Sequence, residues 1–278
     1  LGIIKAGKIV HIISPSISKK NFLKQIKSCN PKIILTLKKF KEQFKNIQNE
    51  IRLVDFNEFK NMDATKRENE KSNISSLIYT SGTTSSPKGV PIKHENTIFT
   101  TKNIINILKY NNSDIDIIPL SLSHSFGLGC FHTALFVGST LILHKNTMNI
   151  LEVLNSIKNN NATTFAAVPA TLTSLVNDFP EKFVEKCSGL RLIITNSTKV
   201  PEDTINKILK LLPDTKFATY YGLTEASRST FMIFNENENK KESVGKHAPG
   251  VELKIEKENK KLKHGQILVR GKNVIDNY

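Results

Sequence analysis

The sequence predicts an α/β protein with parallel sheets flanked by helices. Three observations lead there. Short β-branched runs alternate with longer amphipathic stretches, which argues for βαβ crossovers. At 278 residues the chain is long enough for one large domain or two small ones. No apolar run approaches the roughly 18 residues that a membrane-spanning helix needs.

In chain order, strands are expected at Lys32–Thr36, Ile74–Thr80, Ile115–Pro119, Thr140–His144, Thr163–Ala167, Leu192–Thr195 and Lys216–Tyr220. Helices are expected between them, at Ser18–Cys29, His94–Leu108, Asn149–Asn159, Ala170–Asn177 and Pro201–Leu211. Pro201-Glu202-Asp203 carries a proline and two acids where a helix should start. The apolar face of Ile104, Ile105, Ile107 and Leu108 is read as core. Two polar, aperiodic stretches interrupt the rhythm, Asn57–Asn73 and Asn235–Ser243, and both are read as exposed connections. After the second, Val251–Ile255 and Gln266–Arg270 flank a charged, turn-rich stretch with no helix between them. That is an antiparallel signal, the start of a small β-barrel. The apolar opening Leu1-Gly2-Ile3-Ile4 and the end at Tyr278 just after a strand lead to the expectation that the chain is part of a longer protein.

Forty basic against twenty-five acidic residues give a formal charge of +15. Only Arg52, Arg67, Arg191, Arg228 and Arg270 are arginines, and the lysines are spread along the chain without clustered aromatics. A specific nucleic-acid partner is therefore not expected. Cys29, Cys130 and Cys187 are far apart and odd in number, which argues against a disulfide framework or a zinc site and suits a reducing cytoplasm. No basic-then-apolar leader is read at the start.

Two stretches carry chemistry. Tyr79-Thr80-Ser81-Gly82-Thr83-Thr84-Ser85-Ser86-Pro87-Lys88-Gly89 leaves a strand and comes shortly before a helix, a position where α/β folds bind ligands. Glycine lets backbone N–H groups approach an anion, and the hydroxyls and Lys88 add donors. It is not the Gly-x4-Gly-Lys-Ser/Thr loop, because no hydroxyl follows Lys88. The second stretch is Tyr220-Tyr221-Gly222-Leu223-Thr224-Glu225. An aromatic ring there can stack on a base, a Thr hydroxyl can donate to a phosphate, and a carboxylate can hold Mg²⁺.

Taken together, these stretches resemble the signature motifs of the adenylate-forming superfamily, which includes acyl-CoA synthetases. Pro119-Leu120-Ser121-Leu122-Ser123-His124-Ser125-Phe126-Gly127 is similar to its His-containing segment. Gly245 with Pro249-Gly250-Val251 is similar to its passage into the small barrel, and Gly265–Gly271 through Tyr278 is similar to its Gly-Glu-Leu…Gly…Gly-Tyr segment. The resemblance implies two lobes of layered αβαβα type. Residues 1–60 would be part of a first lobe, 73–240 a nucleotide-binding lobe and 244–278 the start of the barrel, with a mobile C-terminal domain outside the chain. It also implies Mg·ATP-dependent conversion of a carboxylic acid to an acyl-adenylate, then transfer to a thiol. Coenzyme A is the expected acceptor, with a carrier protein as the alternative; a non-catalytic nucleotide-binding module is the alternative from another class.

In that picture Thr80, Ser81, Gly82, Thr83, Thr84, Ser85 and Lys88 hold the β- and γ-phosphates. Tyr221 and Gly222 face adenine, Thr224 bonds the α-phosphate, Glu225 holds Mg²⁺, and His124 lies near the acid. Asn196 or Ser197 bonds the adenine amino group. The sequence departs from the family in having polar Asn196-Ser197-Thr198-Lys199 where many members carry a Gly/Ala-rich loop. Lys199 is read as solvated, with pairing to a substrate carboxylate as the alternative, and Arg228 as structural, with a substrate contact as the alternative. The family's ribose-binding Asp and catalytic Lys fall outside the chain, so the chain alone is expected to adenylate slowly if at all.

Overall fold

A computed structural model describes residues 1–41, 51–57, 72–80, 87–144, 149–257, 259 and 264–276. Its strands, in chain order, are β1 (Val10–His11), β2 (Ile33–Thr36), β3 (Arg52–Asp55), β4 (Ile74–Thr80), β5 (Lys88–Lys93), β6 (Ile115–Ile118), β7 (Thr140–Leu143), β8 (Thr164–Ala166), β9 (Leu192–Thr195), β10 (Lys216–Tyr221), β11 (Thr230–Ile233), β12 (Lys246–His247), β13 (Val251–Glu256) and β14 (Gln266–Gly271). The principal sheet has the order β12-β11-β10-β9-β8-β6-β7. β7, β6, β8, β9 and β10 run parallel, and β11 and β12 join antiparallel.

The parallel strands are short and apolar because both of their faces are covered. On one face the helices Ile150–Asn159, Pro169–Asp178, Pro180–Cys187 and Glu202–Leu211 supply a core that includes Leu154, Ile157, Leu172, Leu175, Phe183 and Ile208, packed against Ile117, Phe165, Ile193 and Phe217. On the other, Ile104 and Leu108 of the His94–Leu108 helix and Phe126 and Cys130 of the Ser125–Val137 helix pack with Ile118, Leu192, Ile194 and Tyr220. Ile105 and Ile107 pack half-buried against that second cluster, as the apolar pattern predicts.

Two smaller sheets precede this one. β2 and β3 pair in parallel, and β1-β4-β5 form a three-stranded sheet with β1 parallel and β5 antiparallel to β4. β13 and β14 form the expected antiparallel hairpin. The sheets, the covering helices and this terminal hairpin give the fold class that the sequence predicts.

The structure adds three local features to this reading. β5 opens at Lys88, paired opposite Thr80 of β4, so a strand stands between the Ser/Thr-rich run and the His94–Leu108 helix. The segment around His124 continues as the Ser125–Val137 helix. Asn235–Ser243 contains two short 3₁₀ turns, Phe234–Glu236 and Glu238–Lys240. Asn235 is bonded into the principal sheet through Phe217 N and Thr215 O. Most of Asn57–Asn73 and all of Ser81–Ser86 lie outside the described residues.

Candidate adenylating site

Because β6, β8, β9 and β10 are parallel, the segments that follow them all emerge at the same edge of the sheet. This carboxyl edge is where open α/β sheets bind ligands. It brings together His124 after β6, Asn196 and Ser197 after β9, and Tyr221–Glu225 at the end of β10.

The Tyr221–Glu225 turn is closed tightly. Leu223 N donates to Ala226 O at 3.1 Å and Ala226 N returns a bond to Leu223 O at 3.2 Å, which leaves Thr224 and Glu225 at the tip. Gly222 has no alternative: a Cβ there would lie 2.5 Å from Arg228 N and 2.6 Å from Ala226 O. The tip is braced by a distant segment. Ile275 N donates to Glu225 O at 2.9 Å and Ser227 N to Asn273 O at 3.2 Å. The buried amide of Asn273 donates to Ser227 O and Ser229 Oγ. That segment is held in turn by Asn96, whose Nδ2 bonds the carbonyls of Lys272 and Val274 at 2.9 and 3.1 Å.

Beside it, Asn196 Nδ2 donates to Tyr220 O at 2.6 Å. This orients the amide and uses one of its two N–H donors; Oδ1 is the acceptor that Asn196 can offer, which suits an adenine amino group. Ser197 is exposed with φ of +96°, so the chain turns sharply outward there. Tyr221, Gly222, Thr224 and Glu225 are half-buried. His124 is exposed and precedes the first turn of the Ser125–Val137 helix. Thr80 is half-buried at the end of β4 and Lys88 is exposed opposite it. Ser81, Gly82, Thr83, Thr84 and Ser85 fall outside the described residues. Lys199 is exposed and pairs with Glu242 at 2.5 Å.

Behind the Thr224 tip lies a cavity of about 40 Å³. Its walls come from β4, the His94–Leu108 helix, the Ser125–Val137 helix and the turn itself, and include Thr97, Thr100, His132, Thr224 and Arg228. His132 is pushed down to about 4, first by burial and then by the neighbouring Arg228 charge, so it is neutral near pH 7. Burial pushes the Cys130 thiol up to about 12, so that sulfur is a packing group and not a nucleophile.

Sequence reasoning missed Asn96 and Asn273. An asparagine shows no period or motif of its own, and both act through contacts with residues far away in the chain.

A single half-buried carboxylate fits the expected metal, since Mg²⁺ usually takes one or two protein carboxylates and completes its shell with water and substrate phosphates. Among the described residues no group of three or more His, Cys, Asp or Glu could hold a metal by protein ligands alone, and Glu225 is the carboxylate at the tip.

A parallel sheet with loops gathered at its carboxyl edge places the chain in the class of α/β proteins that bind ligands at that edge. The whole chain, residues 1–278, matches the AMP-binding enzyme family and belongs to it. It is 30% identical over 264 residues to a 2-succinylbenzoate–CoA ligase of Bacillus licheniformis, covering 91% of this chain and 53% of that protein. It is also 30% identical over 186 residues to the acyl-CoA ligase sidI of Beauveria bassiana, covering 66% and 32%. The fold superimposes on O-succinylbenzoate coenzyme A synthetase from Bacillus subtilis in complex with ATP and magnesium ion, with a TM-score of 0.81 and 27% identity over 96% of this chain and 56% of that one. The chain thus spans from about a third to just over half of the length of these relatives.

Proposed function

We propose that the chain forms the nucleotide-binding part of an AMP-forming acid–thiol ligase. A carboxylate attacks the α-phosphorus of ATP and pyrophosphate leaves with the electron pair of the broken bond; the coenzyme A sulfur, its proton lost, then attacks the acyl carbon of the acyl-adenylate, and AMP leaves with the electron pair of the broken C–O bond. The observation that carries this reading is the convergence of Asn196, Tyr221, Thr224 and Glu225 on one edge of a parallel sheet, in a chain of this family. Relatives named as CoA ligases favour coenzyme A over a carrier protein as the acceptor.

A carboxylate is a poor nucleophile and meets an anionic phosphate, so the protein's task is positioning and charge neutralisation. Thr224, on a rigid tip, would donate to the α-phosphate. Glu225 would hold Mg²⁺, which when bound neutralises phosphate charge. Lys88 and the Thr80–Ser85 stretch would grip the outer phosphates, with Tyr221 and the Asn196–Ser197 corner against adenine and His124 near the acid. The polar Asn196–Lys199 loop favours a small or medium acid with polar groups over a long alkyl chain. Three free cysteines suit a reducing compartment such as the cytoplasm.

The test is acid-dependent exchange of pyrophosphate into ATP by the protein as its gene encodes it. Exchange is expected, and once coenzyme A is added the nucleotide released should be AMP and not ADP. Glu225→Gln is expected to lower kcat/KM on the order of 10²-fold, the scale of losing one preorganised electrostatic contact. Release of ADP and phosphate, or an unchanged Glu225→Gln enzyme, would sink the reading.

A further inference from the structure

Resting on that reading, we infer that the acid carries a second anionic group, a carboxylate, which Arg228 receives in the cavity behind Thr224.

Arg228 is 5% exposed, and among the described residues no carboxylate pairs with it. Its Nη2 donates to Ser125 O at 2.9 Å, Phe126 O at 3.4 Å and the Tyr220 hydroxyl at 3.3 Å. Its Nη1 donates to Ser227 Oγ, and its Cζ lies 4.9 Å from the centre of the Tyr220 ring. These partners orient the guanidinium, but all are neutral. Its Nε is buried with no partner. A buried cation without a counter-charge is costly, and such groups are normally paired.

The surroundings are shaped to keep it there. Arg228 has φ of +54°, a conformation that a bulky residue rarely adopts. A Cβ on Gly129 would overlap its guanidinium. The cavity that Arg228 lines has a mixed wall: Asn96, Thr97, Thr100, Ser125 and neutral His132 bring polar groups to it, beside the apolar Ile78, Ile92 and Leu128, so the guanidinium meets hydrogen-bonding partners as well as hydrocarbon there. Its volume of about 40 Å³ is a few times the roughly 10–15 Å³ needed for one water, room for a carboxylate-sized group. Thr224 lines the same cavity. An acid whose reacting carboxylate lies at the Thr224 tip therefore directs its other end towards Arg228. A site built to bond a polar group rejects the analogue lacking it far more strongly than an apolar pocket discriminates one methylene.

The experiment compares pyrophosphate exchange, on the protein as its gene encodes it, for matched pairs of acids. Each pair has one carboxylate or two on the same carbon skeleton, over a range of short aliphatic and aromatic lengths. For the best skeleton, the diacid is expected to exceed the monoacid by about 100-fold or more in kcat/KM. Arg228→Met should lower use of the diacid far more than use of the monoacid, mainly through KM, and so remove the preference, and Arg228→Lys should restore part of it. The wild-type comparison needs no variant, so a poorly folding Arg228→Met leaves the test intact. Equal or better use of the monoacid overturns the inference and leaves the ligase reading standing. Equal loss of both acids in a folded Arg228→Met overturns it as well and makes Arg228 a packing residue. Exchange with no acid in either set overturns the ligase reading and this inference with it.

Discussion

The amide of Asn196 decides what that corner of the site can recognise. One N–H of its nitrogen goes to the Tyr220 carbonyl at 2.6 Å, and its oxygen is an acceptor. Asn196→Ala removes both halves of this arrangement. Asn196→Asp goes further and sets a carboxylate oxygen against a carbonyl, two acceptors with no proton between them. Leaving a polar partner unsatisfied costs about 1–3 kcal/mol. Asn196→Asp is therefore expected to weaken AMP binding more than Asn196→Ala does, by calorimetric titration. Equal affinity in Asn196→Asp and wild type would refute the assignment.

The Ser125–Val137 helix and the turn after β10 work as a pair. Gly127 and Gly129 let the helix approach its neighbours: a Cβ on Gly127 would lie 2.5 Å from Ser121 O, and one on Gly129 would overlap Arg228. Overpacking of this kind costs about 1–3 kcal/mol, so Gly129→Ala is expected to lower Tm by several degrees. Gly189→Ala, in open space, is the control and should leave Tm nearly unchanged.

The same elements mark what was legible in the sequence. Helices with one apolar stripe, such as His94–Leu108, and β-branched runs such as Ile74–Thr80 and Leu192–Thr195 announce themselves within an end residue or none. The Ser125–Val137 helix does not, because it is apolar on nearly every side and shows no 3.6-residue contrast. β5 hides behind Gly89 and Pro91, which argue against a central strand; it lies at the edge of its sheet. The motif residues of the site were readable because their chemistry is local. Arg228, read from the sequence as structural, is buried through contacts with Ser125 and Phe126, about a hundred residues earlier, and no local pattern reveals such contacts.

Across the molecule, the two edges of the principal sheet divide the work. The carboxyl edge holds the site; the amino edge is locked by charge. Asp114, with a buried side chain, receives Arg191 Nε at 2.7 Å and Nη2 at 2.5 Å, plus Asn111 N and the Thr163 hydroxyl. Arg191 also bonds Leu108 O at 3.1 Å, tying the end of the His94–Leu108 helix to β6 and β9. Burial raises the Asp114 pKa, but the bonds from Arg191, Asn111 and Thr163 outweigh it and hold the carboxyl below its ordinary 3.8. An acid with a folded pKa below its unfolded one adds stability that is fully present above the unfolded value and is lost as pH falls through the folded one. Neighbouring Asp116 is raised by burial and acts with the opposite sign, its ionisation opposing the fold as pH rises above the ordinary carboxylate range. Arg191→Met strands the Asp114 charge and is expected to cost about 3–5 kcal/mol at pH 7. It should also shrink the gain in stability between pH 3 and pH 6, measured by denaturant titration. An unchanged pH profile would mean that Arg191 contributes by packing alone.

The brace on the Thr224–Glu225 tip also sets an order of events during synthesis. Asn96 meets Lys272 and Val274 across a separation of more than 170 residues, and Glu225 waits for Ile275. Domains fold from the N-terminus as they leave the ribosome, and distant contacts close last. The principal sheet can therefore assemble while the Thr224–Glu225 tip still hangs loose, and the nascent chain fixes that tip only when Asn273–Asp276 has emerged.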